Sequence, residues 1–386
     1  MDFSFSEEQI LMRDNVRRFL QKEVAPHVDE WDKFGPMSKE TALGWLQKLE
    51  PFGYIGSLVP MEQGGHGLDR MSHGLLLEEL RKVWASLGGV IGICTSVAGT
   101  LSRLGTEAQR ENYLRPLLEG KMIGCSGITE PNVGSDVAGI ETRAARQGNH
   151  WIINGAKTWI SNGSISDFII VTCRTGEAKG AKGLSRILVE RKVSPYETRE
   201  IPRIGLKAFP TAEVVFEDCQ APIENLIGKE GEGFEGAMES LEQARLNAAI
   251  GAVGIMQAAI DFSVKYAKER VQFGKPIGSF QLIQAKIAEM EALGQASRLL
   301  TYQGLWRLDK GLPCAKESSL AKFYATESAV QVTGMAIQIH GAYGLSEEYP
   351  VERLFRDARC YTIPDGTTEI HKLIIGREML GLKAFR

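Results

Sequence analysis

The strongest constraint on this chain is a switch in its hydrophobic period, helical at both ends and strand-like between. Near the start, Ser6 and Gln9 have the spacing of a helix capping box. Val16, Phe19 and Leu20 then share one helical face until Pro26 interrupts the pattern. Helical runs follow over Lys39–Leu49, 71–84 and 107–119, separated by glycine-rich turns at 53–56 and 64–67. From residue 123 the apolar stretches become short and β-branched. Examples are Trp151-Ile152-Ile153, Phe168-Ile169-Ile170-Val171-Thr172, Ile187-Leu188-Val189 and Val214-Val215-Phe216. Beyond Gly231-Glu232-Gly233 the helical period returns, over 251–270, 281–305 and 315–332. A chain of 386 residues is too long for one core. The pattern predicts an α+β protein in three parts: an N-terminal helical domain over 1–122, a barrel-like β-domain over 123–232, and a C-terminal helical bundle over 233–386.

Charge excludes several partners. With 45 basic and 48 acidic residues and a net charge of -3, nothing favours nucleic acid or an anionic membrane surface. No apolar run is expected to reach the ~20 residues of a membrane span. The start, Met1-Asp2-Phe3-Ser4, has neither the basic nor the apolar region of a signal peptide, and no basic, acid-poor transit segment follows. The expectation is a bacterial cytoplasm, or a mitochondrial matrix for a processed chain. Six scattered cysteines form no C-x-x-C pair and are expected to be reduced, buried thiols. No His or Cys pair suggests a metal. His66 and His73 read as turn or surface residues, and packing is the simpler role for His340.

Three segments carry chemistry. The stretch 127–136 is a polar, glycine-bearing loop suited to a flat polar ligand or to phosphates, and equally to a plain turn. No G-x-G-x-x-G opens a βαβ unit, so a Rossmann site is excluded. In 157–163, Trp159 and Ser161 would share one face of a strand, where an indole could wall an aromatic cofactor or simply fill a core. In 362–370, Pro364 and Gly366 hold Asp365 on a turn, as a turn residue or as a carboxylate base.

Together with 269–276 and 338–344, these segments resemble the acyl-CoA dehydrogenase family, in the family's order and over nearly the whole chain. The resemblance implies FAD, an acyl-CoA substrate, a homotetramer and an electron-transferring flavoprotein as electron acceptor. Asp365 falls where the family carries its catalytic base, which takes the α-proton while the β-hydride moves to FAD. Ile128, Thr129, Trp159, Ser161, Thr367 and Glu369 match flavin contacts. Arg270, Phe273, Gln281, Gln338 and Ala342 match positions that reach the FAD of a neighbouring subunit. Ser135, Glu242 and Arg245 match contacts to the thioester and CoA.

Two departures stand out. The family's usual base is Glu, and Asp is shorter by one C–C bond of ~1.5 Å. Glu369 replaces a commoner Gln. Burial is expected to raise the pKa of Asp365 and so suit it to proton removal near neutrality. The segment 86–95 holds three glycines and no charge, and reads as a loop bordering a roomy apolar acyl pocket around Gly92. The absence of Arg or Lys there argues against a dicarboxylic acyl group. A cyclic or branched acyl-CoA, cyclohexane-1-carboxyl-CoA in particular, fits the shorter base. Rival readings are a nitroalkane-oxidase-like flavoenzyme, the same site run as an enoyl-CoA reductase, and a flavin-binding assembly subunit without catalysis.

Overall fold

A computed structural model describes residues 4–178 and 180–382, the side chain of Glu239 excepted. Met1, Asp2 and Phe3, on which the signal-peptide reading began, lie outside the described residues.

The N-terminal helices are α1 (Glu7–Phe19), α2 (Val28–Phe34), α3 (Lys39–Leu49), α4 (Arg70–Val83) and α5 (Ala85–Leu104). Two short pieces follow, α6 (Glu107–Gln109) and α7 (Arg115–Leu118), with a π turn between them. The expected capping box starts α1, with Ser6 and Gln9 bonded reciprocally. Pro26 does not end the helical path. It sits in a 3₁₀ turn that leads from a π turn into α2.

The middle region is one seven-stranded, mostly antiparallel sheet. Its strands are β1 (Gly124–Gly127), β2 (Arg143–Gln147), β3 (His150–Ser161), β4 (Phe168–Arg174), β5 (Leu184–Glu190), β6 (Glu197–Glu200) and β7 (Thr211–Pro222). β1 runs parallel to β4, and the long strands β3 and β7 pair antiparallel with two register shifts. The sheet has its own apolar core around Ile153, Ile169, Val171 and Phe216.

The C-terminal region contains α8 (Gly233–Glu269), a small hairpin of β8 (Val271–Gln272) and β9 (Lys275–Pro276), α9 (Gln281–Asp309), α10 (Ala315–His340), α11 (Pro350–Cys360) and α12 (Thr368–Leu380). Helix α10 packs on α8, α9, α11 and α12. Helices α4 and α5 also pack on α8, so the two helical regions share one core. Helices α5 and α8 are long and apolar enough to cross a membrane, but 83% and 78% of their apolar windows are buried inside the protein. That is the behaviour of core helices.

The segment 86–95 is therefore helix, not loop. Glycine in a helix costs up to ~1 kcal/mol against alanine, so a compensating contact is expected at each. At Gly89 a Cβ would meet the Phe209 ring at 2.8 Å; Gly88 and Gly92 face Arg81 of α4.

Candidate functional site

The site is assembled around the turn between α11 and α12. Asp365 lies there with φ +57, in the left-handed region that Asp tolerates better than most residues. Lys322 of α10 is fully buried and donates to the carbonyls of Thr362 (2.9 Å) and Gly366 (2.7 Å), clamping the turn from below. His371, also fully buried, sets its ring against Gly366. Thr367 caps α12 by accepting from the Ile370 N–H.

The carboxylate of Asp365 is crowded by protein yet still reached by solvent. Among the described residues, no hydrogen bond or ion pair reaches it. Burial raises its pKa above the usual aspartate range, against the opposing fields of Lys322, Arg245 and Arg81. Burial pushes Lys322 down to about 8 and His371 down to about 3. The result is a carboxylate under a cationic collar that no cation neutralises by contact.

A second group of the residues singled out in the sequence lies on the sheet. The Thr158 N–H donates to the Thr129 carbonyl at 2.9 Å, which lays Thr158–Ser161 alongside Ile128–Thr129. Beneath them, the buried Lys157 donates to the Ile128 carbonyl at 3.0 Å and to Glu130 at 2.7 Å. Strand β3 is irregular here, with a register shift between Lys157 and Ile160. Trp159 takes φ +61 and is 56% exposed, so the indole walls open space rather than filling a core. Ser161, two residues on, is half-buried. Asn162 then donates to the Val90 carbonyl at 3.0 Å, joining this group to α5.

Six non-glycine residues have positive φ among the described residues, and three of them are Trp159, Phe273 and Asp365. Such residues cost of order 1–3 kcal/mol each and collect at functional sites.

The remaining residues singled out in the sequence separate into two places. Arg245 is buried on α8 within the field of Asp365, with Glu242 one turn earlier. Ser135 is exposed on the loop between β1 and β2, and Glu369 is exposed on the first turn of α12. Arg270, Phe273, Gln281, Gln338 and Ala342 lie elsewhere, all exposed. The Arg270 guanidinium sits 5.6 Å over the Tyr343 ring, next to Ala342, and Phe273 is 93% exposed. Lys322 and Gln338 are both on α10, and sixteen residues of helix separate them by ~24 Å.

Sequence reading missed Arg81, Lys322 and His371. Arg81 is buried, with its guanidinium against Gly88, Gly92 and Gly251 and 5.7 Å from the Tyr361 ring. The supposedly uncharged surroundings of Gly92 therefore contain a cation. The signal was present: three glycines in a helix leave room that another side chain must fill. Lys322 and His371 gave no such signal, because a cation in a long helix reads as a solvated face. His73 is likewise not at the surface. It is buried between Ser57 (2.8 Å) and Asn247 (3.2 Å), and burial pushes it down to about 4.

A helical domain, one curled sheet and a second helical domain in this order define a class of oxidoreductases that act on acyl thioesters. Three domain descriptions match in order. They are the acyl-CoA dehydrogenase N-terminal domain over 6–121, the middle domain over 125–219 and the C-terminal domain over 231–380. The chain is 38% identical over 380 residues to the short-chain-specific acyl-CoA dehydrogenase of Clostridium acetobutylicum, covering 97% of this chain and 98% of the relative. It is 38% identical over 383 residues to the acryloyl-CoA reductase (NADH) of Anaerotignum propionicum, covering 98% and 96%. The butyryl-CoA dehydrogenase of Megasphaera elsdenii superposes with a TM-score of 0.94 at 36% identity, covering 98% of this chain and all of that one. The chain belongs to the acyl-CoA dehydrogenase family, whose members bind FAD. The wall formed by Ile128, Thr129, Trp159 and Ser161, with its half-exposed indole, fits a planar ring system of that kind.

Proposed function

We propose that the chain dehydrogenates an acyl-CoA thioester, with Asp365 as the base that removes the α-proton. The observation that carries this is the Asp365 carboxylate, unpaired on a strained turn that buried Lys322 holds in place. Bound FAD supplies the hydride acceptor. The protein aligns the thioester and holds the proton on Asp365, whose raised pKa makes it a stronger base. Ile128, Thr129, Trp159, Ser161, Thr367 and Glu369 would hold the flavin. Ser135, Glu242, Arg245 and the Gly92 region would hold the thioester. The backbone N–H of Asp365 would stabilise charge developing on the thioester oxygen.

Arg270, Phe273, Gln281, Gln338 and Ala342 are all exposed, and Gln338 lies ~24 Å along α10 from Lys322 at the base turn. They would reach the cofactor of a neighbouring copy, within the homotetramer typical of the family. Electrons would leave to an electron-transferring flavoprotein in the cytoplasm. The shorter base suits an acyl group with a ring or branch at its α-carbon, with cyclohexane-1-carboxyl-CoA as the reference compound. The similarity to an acryloyl-CoA reductase supports a second reading, the same site working as an enoyl-CoA reductase.

Anaerobic titration of the flavin-loaded protein with straight-chain, branched, cyclic and dicarboxylic acyl-CoAs tests this. Bleaching by one class supports dehydrogenation and names the class. Reduction by nitroalkanes alone would replace it with an oxidase reading, and reduction by none would sink catalysis through Asp365.

A further inference from the structure

Arg81 projects from α4 into the space between α5 and α8. Its Nη1 donates to the Asn247 carbonyl, and its Nη2 reaches the Gly88 carbonyl only at 3.3 Å. Its Nε is buried with no partner. A guanidinium has five N–H donors, so most of this one's capacity is unused. Among the described residues, no carboxylate pairs with it. The nearby acids of α4 are already engaged, Glu79 with Arg17 and Glu78 with Arg298 and Tyr302.

The surroundings are shaped for this side chain. A Cβ at Gly251 would meet Nη1 at 2.7 Å, and one at Gly88 would collide with the arginine stem. A Cβ at Gly92 would meet Nη2 at 2.8 Å and nothing else within 4 Å. The guanidinium therefore fills the room beside Gly92, with Nη2 against the helix. Tyr361, four residues before the base, closes the other side. A buried charge with no carboxylate in contact is expensive, and an unfilled planar fork of donors matches a carboxylate.

We propose that Arg81 binds an anionic group at the far end of the acyl chain, so that the substrate is the monothioester of a short dicarboxylic acid. This rests on the acyl-CoA reading above and extends it. The ring or branch at the α-carbon answers to Asp365, and the distal carboxylate answers to Arg81. It also reverses the expectation, drawn from an uncharged glycine segment, that dicarboxylic groups are excluded.

Matched pairs of thioesters that differ only in carboxylate against methyl test it: 2-methylsuccinyl-CoA against 2-methylbutyryl-CoA, and glutaryl-CoA against pentanoyl-CoA. Binding to the flavin-loaded protein is measured by calorimetry, and flavin reduction separately. The carboxylate member of a pair should bind on the order of 100-fold more tightly. Arg81→Met should erase that preference, and Arg81→Lys should keep part of it. Equal or weaker binding of both carboxylate members by the unaltered protein overturns the proposal, without need of a variant. So does an Arg81→Met protein that loses rate equally on every thioester and shifts its pH profile, because Arg81 would then serve Asp365. If the carboxylate member binds selectively but nothing bleaches the flavin, Arg81 keeps this role and the dehydrogenase reading falls. If no thioester binds, both fall.

Discussion

Glu130 and Asp365 are both acids set beside a fully buried lysine, and the fold treats them in opposite ways. Glu130 accepts from Lys157 at 2.7 Å and from the backbone N–H groups of Glu141 (2.6 Å) and Thr142 (2.9 Å). Burial opposes its charge, but these donors outweigh burial and hold its pKa below the usual range. Among the described residues, Asp365 has no such donors. The neighbouring Lys322 spends its protons on the Thr362 and Gly366 carbonyls and acts on Asp365 only through its field. Burial wins there, and the pKa rises. A satisfied carboxylate is a brace, and the same group left unsatisfied suits the role of base proposed for Asp365.

The comparison can be broken most decisively at Asp365. Asp365→Asn should slow anaerobic flavin reduction by on the order of 10²–10⁴-fold, the range of a general base. The raised pKa means that Asp365 lends stability below the unfolded value of ~3.9, and that this is lost as pH rises through the folded pKa. The neutral Asn escapes that loss, so thermal stability near pH 7 should hold or rise. A variant that is both active and unaltered in stability would show that the two acids differ in nothing that matters.

Glu130→Gln should do the reverse. It strands a buried lysine charge, at a cost of about 3–5 kcal/mol in denaturant unfolding, while folded protein keeps most of its reduction rate. Because the pKa of Glu130 is depressed, its stabilisation is present above ~4.3 and lost as pH falls through the folded value. Acid unfolding of the unaltered protein should therefore track Glu130, and the variant should lack that step.

Smaller effects sharpen the picture. Asp365→Glu lengthens the base by one methylene, and a displacement of ~1 Å can change rates by up to about 100-fold. The expected sign depends on the acyl group: a gain on straight chains and a loss on α-branched or cyclic ones, read as kcat/KM ratios. The smallest effect is on the pH profile. Reduction should fall as pH drops through a midpoint above the ordinary aspartate value, because only the ionised form accepts a proton. Lys322→Met should move that midpoint upward, since its cation holds Asp365 down. A downward shift would contradict the field argument.

Much of this molecule was legible in its residues. The change of period near 123 and again near 233 marks the passage from helix to sheet and back. It is readable because a strand repeats every two residues and a helix every 3.6. The capping box at Ser6 and the turn around Asp365 are also local, set by side chains bonding their own neighbours and by proline and glycine. Short-range chemistry of this kind is written in consecutive positions.

Other features depended on chain segments far apart. Ser86–Thr95 reads as a loop by its glycines, yet it is helical because Arg81 and Phe209 occupy the room those glycines leave. Trp159 is exposed because a bulge against β7 turns it outward. His73 is buried because Asn247, 174 residues away, meets it. The positive field over Asp365 comes from α4, α8 and α10, with residues as distant as Arg81 and Lys322. Sequence determined the order of helix and strand and the family, because those follow from local pattern. Only the tertiary structure decided which acid is satisfied and which cation is not, because burial and hydrogen bonding are properties of what surrounds a side chain rather than of the chain that carries it.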